Sequence, residues 1–215
     1  MQTITLGQLV AAVNGRLLGT YADLNTPIDL LDTDSRAVRE GAVFLPIVGE
    51  RFDGHTYIDS ALEKGAAGTL TDRELDSYRP DKFYVKVENT ELALRDLAVW
   101  YKSLFPIPFV AVTGSVGKTT AKDMIACVLE QKFRVLKTEG NFNNNLGLPL
   151  TVLRLTDEHE MCVLKWAWIA LVRSIIWPGP SSPMWVSSPT SAMPISSAWA
   201  AGRTSSRPSA RCCPM

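Results

Sequence analysis

Little in this chain is suited to metal or disulfide chemistry. It holds two histidines and four cysteines among 215 residues. Cys127, Cys162, Cys212 and Cys213 show no C-x-x-C spacing, and the neighbours Cys212 and Cys213 are poorly placed to bridge each other, so neither a zinc site nor a disulfide framework is expected. Net charge is zero, which leaves no basic surplus for a general nucleic-acid binder. The most apolar stretch, residues 161–177, is interrupted by Lys165 and Arg173 and falls short of the ~20 residues a membrane span needs. The first residues lack a basic segment followed by an apolar core, so no signal peptide is read and a reduced, cytoplasmic setting is expected. Acid is missing from one end altogether: all 22 Asp and Glu precede Met161.

What is present is ordinary globular material, 46% hydrophobic and 20% charged, enough for one or two cored units. Its organising stretch is Thr113-Gly-Ser-Val-Gly-Lys-Thr-Thr120. An apolar run from Phe109 to Val112 reads as a buried strand before it. After it, Met124, Ile125, Cys127, Val128 and Leu129 fall mostly on one face of a helix. Strand, glycine turn and helix suit a phosphate site. Gly114 and Gly117 reach backbone angles closed to other residues, and the helix adds its positive end. Ser115, Val116 and Thr120 complete the loop around the ATP phosphates. Lys118 would meet the terminal phosphates and Thr119 would ligate their Mg2+. The full pattern G-x-x-x-x-G-K-[ST] wants glycine where Val112 stands, so only the shorter form is present.

In order, residues 5–15 read as a helix capped by Thr5, with strands at 28–31 and 43–48, a helix at 57–64, and strands at 68–71 and 83–87. These make a small α/β unit over 1–88. A helix over 91–105, capped by Thr90 and ended by Pro106 and Pro108, bridges 89–105 to a second unit over 106–165, where a strand at 134–137 follows the phosphate helix. The fold class expected is α/β: a small N-terminal substrate domain, then the start of a P-loop-type parallel-sheet ATPase domain. Asn141, Asn143, Asn144 and Asn145 follow that strand. They read either as a plain loop tolerant of left-handed turns or as amide donors at the carboxyl end of a strand, where open α/β sheets bind ligands.

Asp34-Ser-Arg36, Gly41-Ala-Val-Phe44, Gly49-Glu-Arg-Phe-Asp-Gly-His55, the phosphate loop and Gly140-Asn-Phe-Asn-Asn-Asn-Leu-Gly-Leu-Pro-Leu-Thr151 together resemble the Mur ligases of bacterial cell-wall synthesis. The match runs in family order to about Leu164. It implies an ATP-dependent carboxylate–amine ligase joining D-alanyl-D-alanine to UDP-N-acetylmuramoyl-tripeptide through an acyl phosphate, with ATP and Mg2+ as cofactors and a monomeric state. It further implies that Ser35 and Arg36 hold the UDP part of the substrate and that Asn141, with Asn144, seats substrate near the phosphates. His55 is a substrate-binding candidate or a packed turn residue. An unrelated P-loop kinase fits the glycine turn but not the Asp-Ser-Arg and asparagine segments.

Beyond Leu164 the resemblance stops. The family continues with Glu-Met-Gly, whose glutamate helps to bind magnesium; here Lys165-Trp-Ala-Trp168 follows. Residues 166–215 carry five of the six tryptophans and seven of the thirteen prolines, a composition that cannot pattern a core. Reverse translation of Lys165-Trp-Ala-Trp-Ile gives AAR TGG GCN TGG ATH, and one G placed in front lets the same bases read Glu-Met-Gly. The tail is therefore expected to be an aberrant, out-of-frame and disordered sequence, and the chain an inactive truncated ligase or a non-catalytic fragment that binds UDP-substrate and nucleotide. Sequencing the DNA across codon 165 in close relatives is expected to show one base more than here; an unbroken frame without that base would end the reading.

Overall fold

The computed structural model describes residues 1–21, 23–49, 52–114, 116–140 and 145–165, with the backbone alone of Met184–Ser187. The chain opens with β1 (Ile4–Thr5) and α1 (Leu6–Ala12). Thr5 and Gln8 form a capping box: the Thr5 hydroxyl accepts from the Gln8 amide at 3.2 Å and the Gln8 side chain accepts from the Thr5 amide at 2.9 Å, which satisfies two otherwise orphaned donors. Next come β2 (Arg16–Leu18), β3 (Pro27–Ile28), β4 (Leu31–Asp32) and β5 (Val43–Phe44). A single 3-10 turn, Gly54–Tyr57, leads into α2 (Ile58–Glu63), followed by β6 (Gly68–Thr71) and β7 (Phe83–Lys86). β1 and β3 pair antiparallel, while the larger sheet has the order β2-β7-β6-β5-β4 and is parallel except for β2 at its edge.

The bridging helix is α3 (Thr90–Ser103). Its cap is Asn89 rather than Thr90: the Asn89 side chain accepts from the Leu92 amide at 3.0 Å. Asn89 is in extended backbone and asparagine caps at least as well as threonine, so Thr90 becomes the first helical residue and is buried.

A second unit follows, built around a sheet, from β8 (Phe109–Thr113), α4 (Lys118–Leu129), β9 (Val135–Lys137), α5 (Gly147–Val152) and β10 (Met161–Lys165). The sequence reading had no helix at α5 and no strand at β2 or β10. β10 lies between β8 and β9, parallel to both. Both faces of this sheet are covered. Phe109, Ala111, Leu136, Cys162 and Leu164 join a large cluster with α1, α3 and α5, while Val110, Val112 and Val163 pack on Ala126 of α4. That two-sided burial explains the continuous apolar runs of β8 and β10.

Of the tail, only β11 (Met184–Ser187) is described; it pairs in parallel with β8. The outer edge of β8 offers unpaired amides and carbonyls, and an extended segment fills them. The rest of the 166–215 reading lies outside the described residues. No helix among the described residues is long and apolar enough to cross a membrane.

α3 ties the two sheets together. Tyr101 is fully buried, donates its hydroxyl to the Leu155 carbonyl at 2.7 Å and accepts from the Gln2 amide at 2.6 Å. Tyr101→Phe removes both bonds and leaves the Leu155 carbonyl without this donor. Urea unfolding is expected to show a loss of about 1–3 kcal/mol, the usual penalty for a buried group left unsatisfied.

Candidate functional site

The carboxyl ends of β8, β9 and β10 lie at one edge of the second sheet, where parallel α/β sheets present their ligand sites. The phosphate loop leaves β8 there. Gly114 and Gly117 have φ of +149° and +76°, angles that favour glycine over residues bearing a Cβ. Gly117 is the left-handed N-cap of α4 and provides no side-chain cap, so the first amides of that helix keep no side-chain acceptor at the cap. Lys118, Thr119 and Thr120 form the first turn, and the Lys118 ammonium donates back across the loop to the Gly114 carbonyl. Val116 is exposed. Ser115, Asn141 and Asn144 lie outside the described residues.

The helix is rotated differently from the sequence reading. Lys122 and Ala126 are its buried residues, one turn apart on the row that begins at Lys118. Met124 and Val128 instead are 65% and 71% exposed. The physical reason is the loop. Lys118 is directed to Gly114, and helical geometry then carries Lys122 and Ala126 over the sheet. The Lys122 ammonium donates to the Thr138 carbonyl at 2.7 Å and pairs with Asp123 at 2.8 Å.

Lys165, the last residue of β10, completes the cluster. Its side chain is buried among polar atoms: the ammonium donates to the Thr119 hydroxyl at 3.0 Å and to the Gly140 carbonyl at 3.2 Å, while its amide donates to the Thr138 hydroxyl at 3.1 Å. Burial, then the nearby Lys122 and Lys118, lower its pKa. Lys122, Thr138 and Lys165 were not among the sequence-derived site residues. The i, i+4 spacing of Lys118 and Lys122 was a signal for the first; nothing local announced the other two.

This donor set does not fit magnesium. Thr119, the expected ligand, already accepts from an ammonium. A dication bound to it would sit roughly 4 Å from that charge, with a repulsion on the order of 8 kcal/mol at an effective dielectric of 20, twice that of two unit charges. The carboxylate within reach of the cluster, Asp123, is paired with Lys122. Among the described residues no group of three or more His, Cys, Asp or Glu could hold a metal ion.

A second region lies in the first unit. A cavity of about 380 Å³ is lined by Thr33, Asp34, Ser35, Arg36, Phe52 and Tyr57 among others, within the size range of small-ligand sites. Ser35 and Arg36 thus share one cavity, and no described residue of the phosphate loop lines it. Arg36 grips Asp34 with two bonds, Nε to Oδ1 at 2.9 Å and Nη2 to Oδ2 at 2.8 Å, and its own amide donates to the same carboxylate at 3.0 Å. These bonds hold the Asp34 carboxyl at about 2.

His55 is not in the cavity lining. Its side chain is 3% exposed, with Nδ1 2.8 Å from Asp53 and Nε2 3.1 Å from Asp72. Arg73 reaches both of those carboxylates. Both ring nitrogens are therefore engaged by the protein.

Two family profiles match the chain: "Mur ligase family, catalytic domain" over residues 27–101 and "Mur ligase middle domain" over residues 112–170. The UDP-N-acetylmuramoyl-tripeptide–D-alanyl-D-alanine ligase of Escherichia coli K12 is 41% identical over 165 residues, which is 77% of this chain and 35% of that protein. A crystal structure of MurF from Acinetobacter baumannii matches with a TM-score of 0.73 at 32% identity, over 78% of this chain and 36% of the other. The MurF ligase of Thermotoga maritima, solved in complex with ADP, matches with a TM-score of 0.58 at 40% identity, over 64% of this chain and 32% of the other. The chain spans about a third of the length of these relatives.

The Asp53 cluster makes a pH prediction. The amide and ring of His55, then Arg73, lower the Asp53 carboxyl from its ordinary 3.8 to about 2. A depressed folded pKa stabilises the fold above the unfolded value and loses that contribution as pH falls through the folded one. Stability is therefore expected to fall between about pH 5 and pH 2. For Asp53→Asn, chemical denaturation across that window is expected to show a shallower fall from a lower starting stability.

Proposed function

Because the chain belongs to the Mur ligase family, we propose that it carries the parts of a UDP-N-acetylmuramoyl-tripeptide–D-alanyl-D-alanine ligase that hold the uridine nucleotide and the ATP phosphates. The observation that carries this reading is the pairing of two separate sites on one α/β frame: a phosphate loop at the strand ends and a cavity around Ser35 and Arg36. Phe52 and Tyr57, 57% and 47% exposed at the cavity, offer aromatic faces to a base. Asp34 holds the Nε/Nη2 edge of Arg36, and the remaining edge of the guanidinium faces a pyrophosphate.

In the complete reaction a carboxylate oxygen of the tripeptide end attacks the γ-phosphorus of ATP and ADP departs. The amine of D-alanyl-D-alanine then attacks the acyl carbon and inorganic phosphate leaves. Transfer of phosphate onto a carboxylate brings like charges together, and positive groups around the loop offset that repulsion. Lys118, in the first turn after the loop, is the residue to which we assign this role.

As it stands, the chain binds these ligands without turning them over. Support for this second part is Lys165, which presents an ammonium to Thr119 where the resemblance implies a glutamate for magnesium. Calorimetric titration with the UDP-linked tripeptide is expected to show saturable binding that Arg36→Ala weakens roughly tenfold, the scale of a lost charge-assisted contact. A coupled phosphate-release assay with ATP and D-alanyl-D-alanine is expected to stay at background. Phosphate release above background refutes the inactive assignment, and absence of any UDP-substrate binding refutes the substrate site.

A further inference from the structure

Resting on the nucleotide site proposed above, we infer that Lys165 is a built-in counter-ion standing where a divalent cation would stand, so that this chain binds ATP without a divalent metal.

The geometry behind this begins with strand register. Lys165 pairs with Val112, and β8 continues for one residue more before the phosphate loop. The lysine therefore ends its strand beside the loop. Among the described residues its ammonium is held by the Thr119 hydroxyl at 3.0 Å and the Gly140 carbonyl at 3.2 Å. Only 2% of the residue is exposed, so the charge is placed by the fold rather than left to swing in solvent. Gly140 belongs to the segment after β9, and Thr119 to the first turn of α4. The ammonium thus joins three strand-to-loop connections at one point.

Position and charge are the two properties the substitution needs. Thr119 sits in the first helical turn next to Lys118, so a cation on its hydroxyl lies at the mouth of the phosphate loop. A bound triphosphate would place oxygens against that mouth and require positive charge there. Lys118, Lys122 and Lys165 provide three cations and Asp123 one carboxylate, already engaged with Lys122. A magnesium ion carried in by the nucleotide would share the Thr119 hydroxyl with the Lys165 ammonium and meet a fixed like charge. Free ATP brings no second cation, and the fixed ammonium offsets the negative charge of its phosphate oxygens. A charge of one sign has been kept, with nitrogen in place of metal.

Binding of ATP to the full chain, followed by equilibrium dialysis in excess EDTA and in excess MgCl2, tests this. The dissociation constant is expected to agree within about threefold between the two, or to favour EDTA. Lys165→Met keeps the stem and removes the charge, and is expected to weaken binding in EDTA roughly tenfold or more. Lys165→Arg restores the cation and with it the affinity. Lys165→Glu places a carboxylate beside the Thr119 hydroxyl and is expected to bind ATP poorly in EDTA but recover in MgCl2. A wild-type affinity that drops tenfold or more in EDTA overturns the inference and leaves the nucleotide site standing, as does an unchanged Lys165→Met. Failure of ATP to bind under either condition overturns the nucleotide site itself. Circular dichroism on each variant separates loss of the ligand from loss of the fold, and the wild-type comparison needs no variant.

Discussion

The parallel pairing of β8 with β10 is the constraint on which the candidate site depends. Its register runs from Phe109 with Cys162 to Val112 with Lys165, and each strand is buried on both faces. A parallel ladder aligns the carboxyl ends of its strands, so a loop leaving one and a side chain ending the other are delivered to the same edge. Slippage by one residue would turn Cys162 and Leu164 from the large core toward α4 and carry Lys165 away from Thr119. Apolar burial thereby fixes the position of a charge.

The two sites handle charge in different ways. At the cavity of the first unit the cation brings its own anion: Arg36 is held by Asp34, and the neighbouring His55 is enclosed by Asp53, Asp72 and Arg73. At the phosphate loop, cations converge with little acid to balance them. Lys118, Lys122 and Lys165 instead lean on carbonyl and hydroxyl oxygens of Gly114, Thr138, Gly140 and Thr119. Such an arrangement costs desolvation when empty and is stabilised by an incoming polyanion. It also explains how an unfamiliar residue at position 165 is accommodated: the strand end offers oxygen acceptors, and lysine is long enough to reach them.

Some of this was legible from residues alone because the signals are local. Thr5 and Gln8, three apart, cap a helix wherever that segment goes. Gly114 and Gly117 bracket a turn whose backbone angles suit little else. Asn89 shows the limit even here, since two adjacent residues both able to cap compete, and the extended backbone at Asn89 decides between them. α5 was hidden for another reason: Gly147 and Pro149 read as loop residues, yet the segment's apolar side chains are buried against α3 and the core, and tertiary burial outweighs weak propensity.

By itself the sequence determined the class of the fold, the glycine turn between β8 and α4 and the family, because these rest on patterns read within a few residues of one another. Tertiary structure alone decided which face α4 buries, that His55 is engaged by two carboxylates, and that Lys165 lies on Thr119, which is 46 residues away along the chain. The reason is physical. Periodicity tells that a helix has an apolar stripe, but only the rigid loop and sheet decide its rotation; a side chain's charge is written in the sequence, and its partner is chosen by strand register.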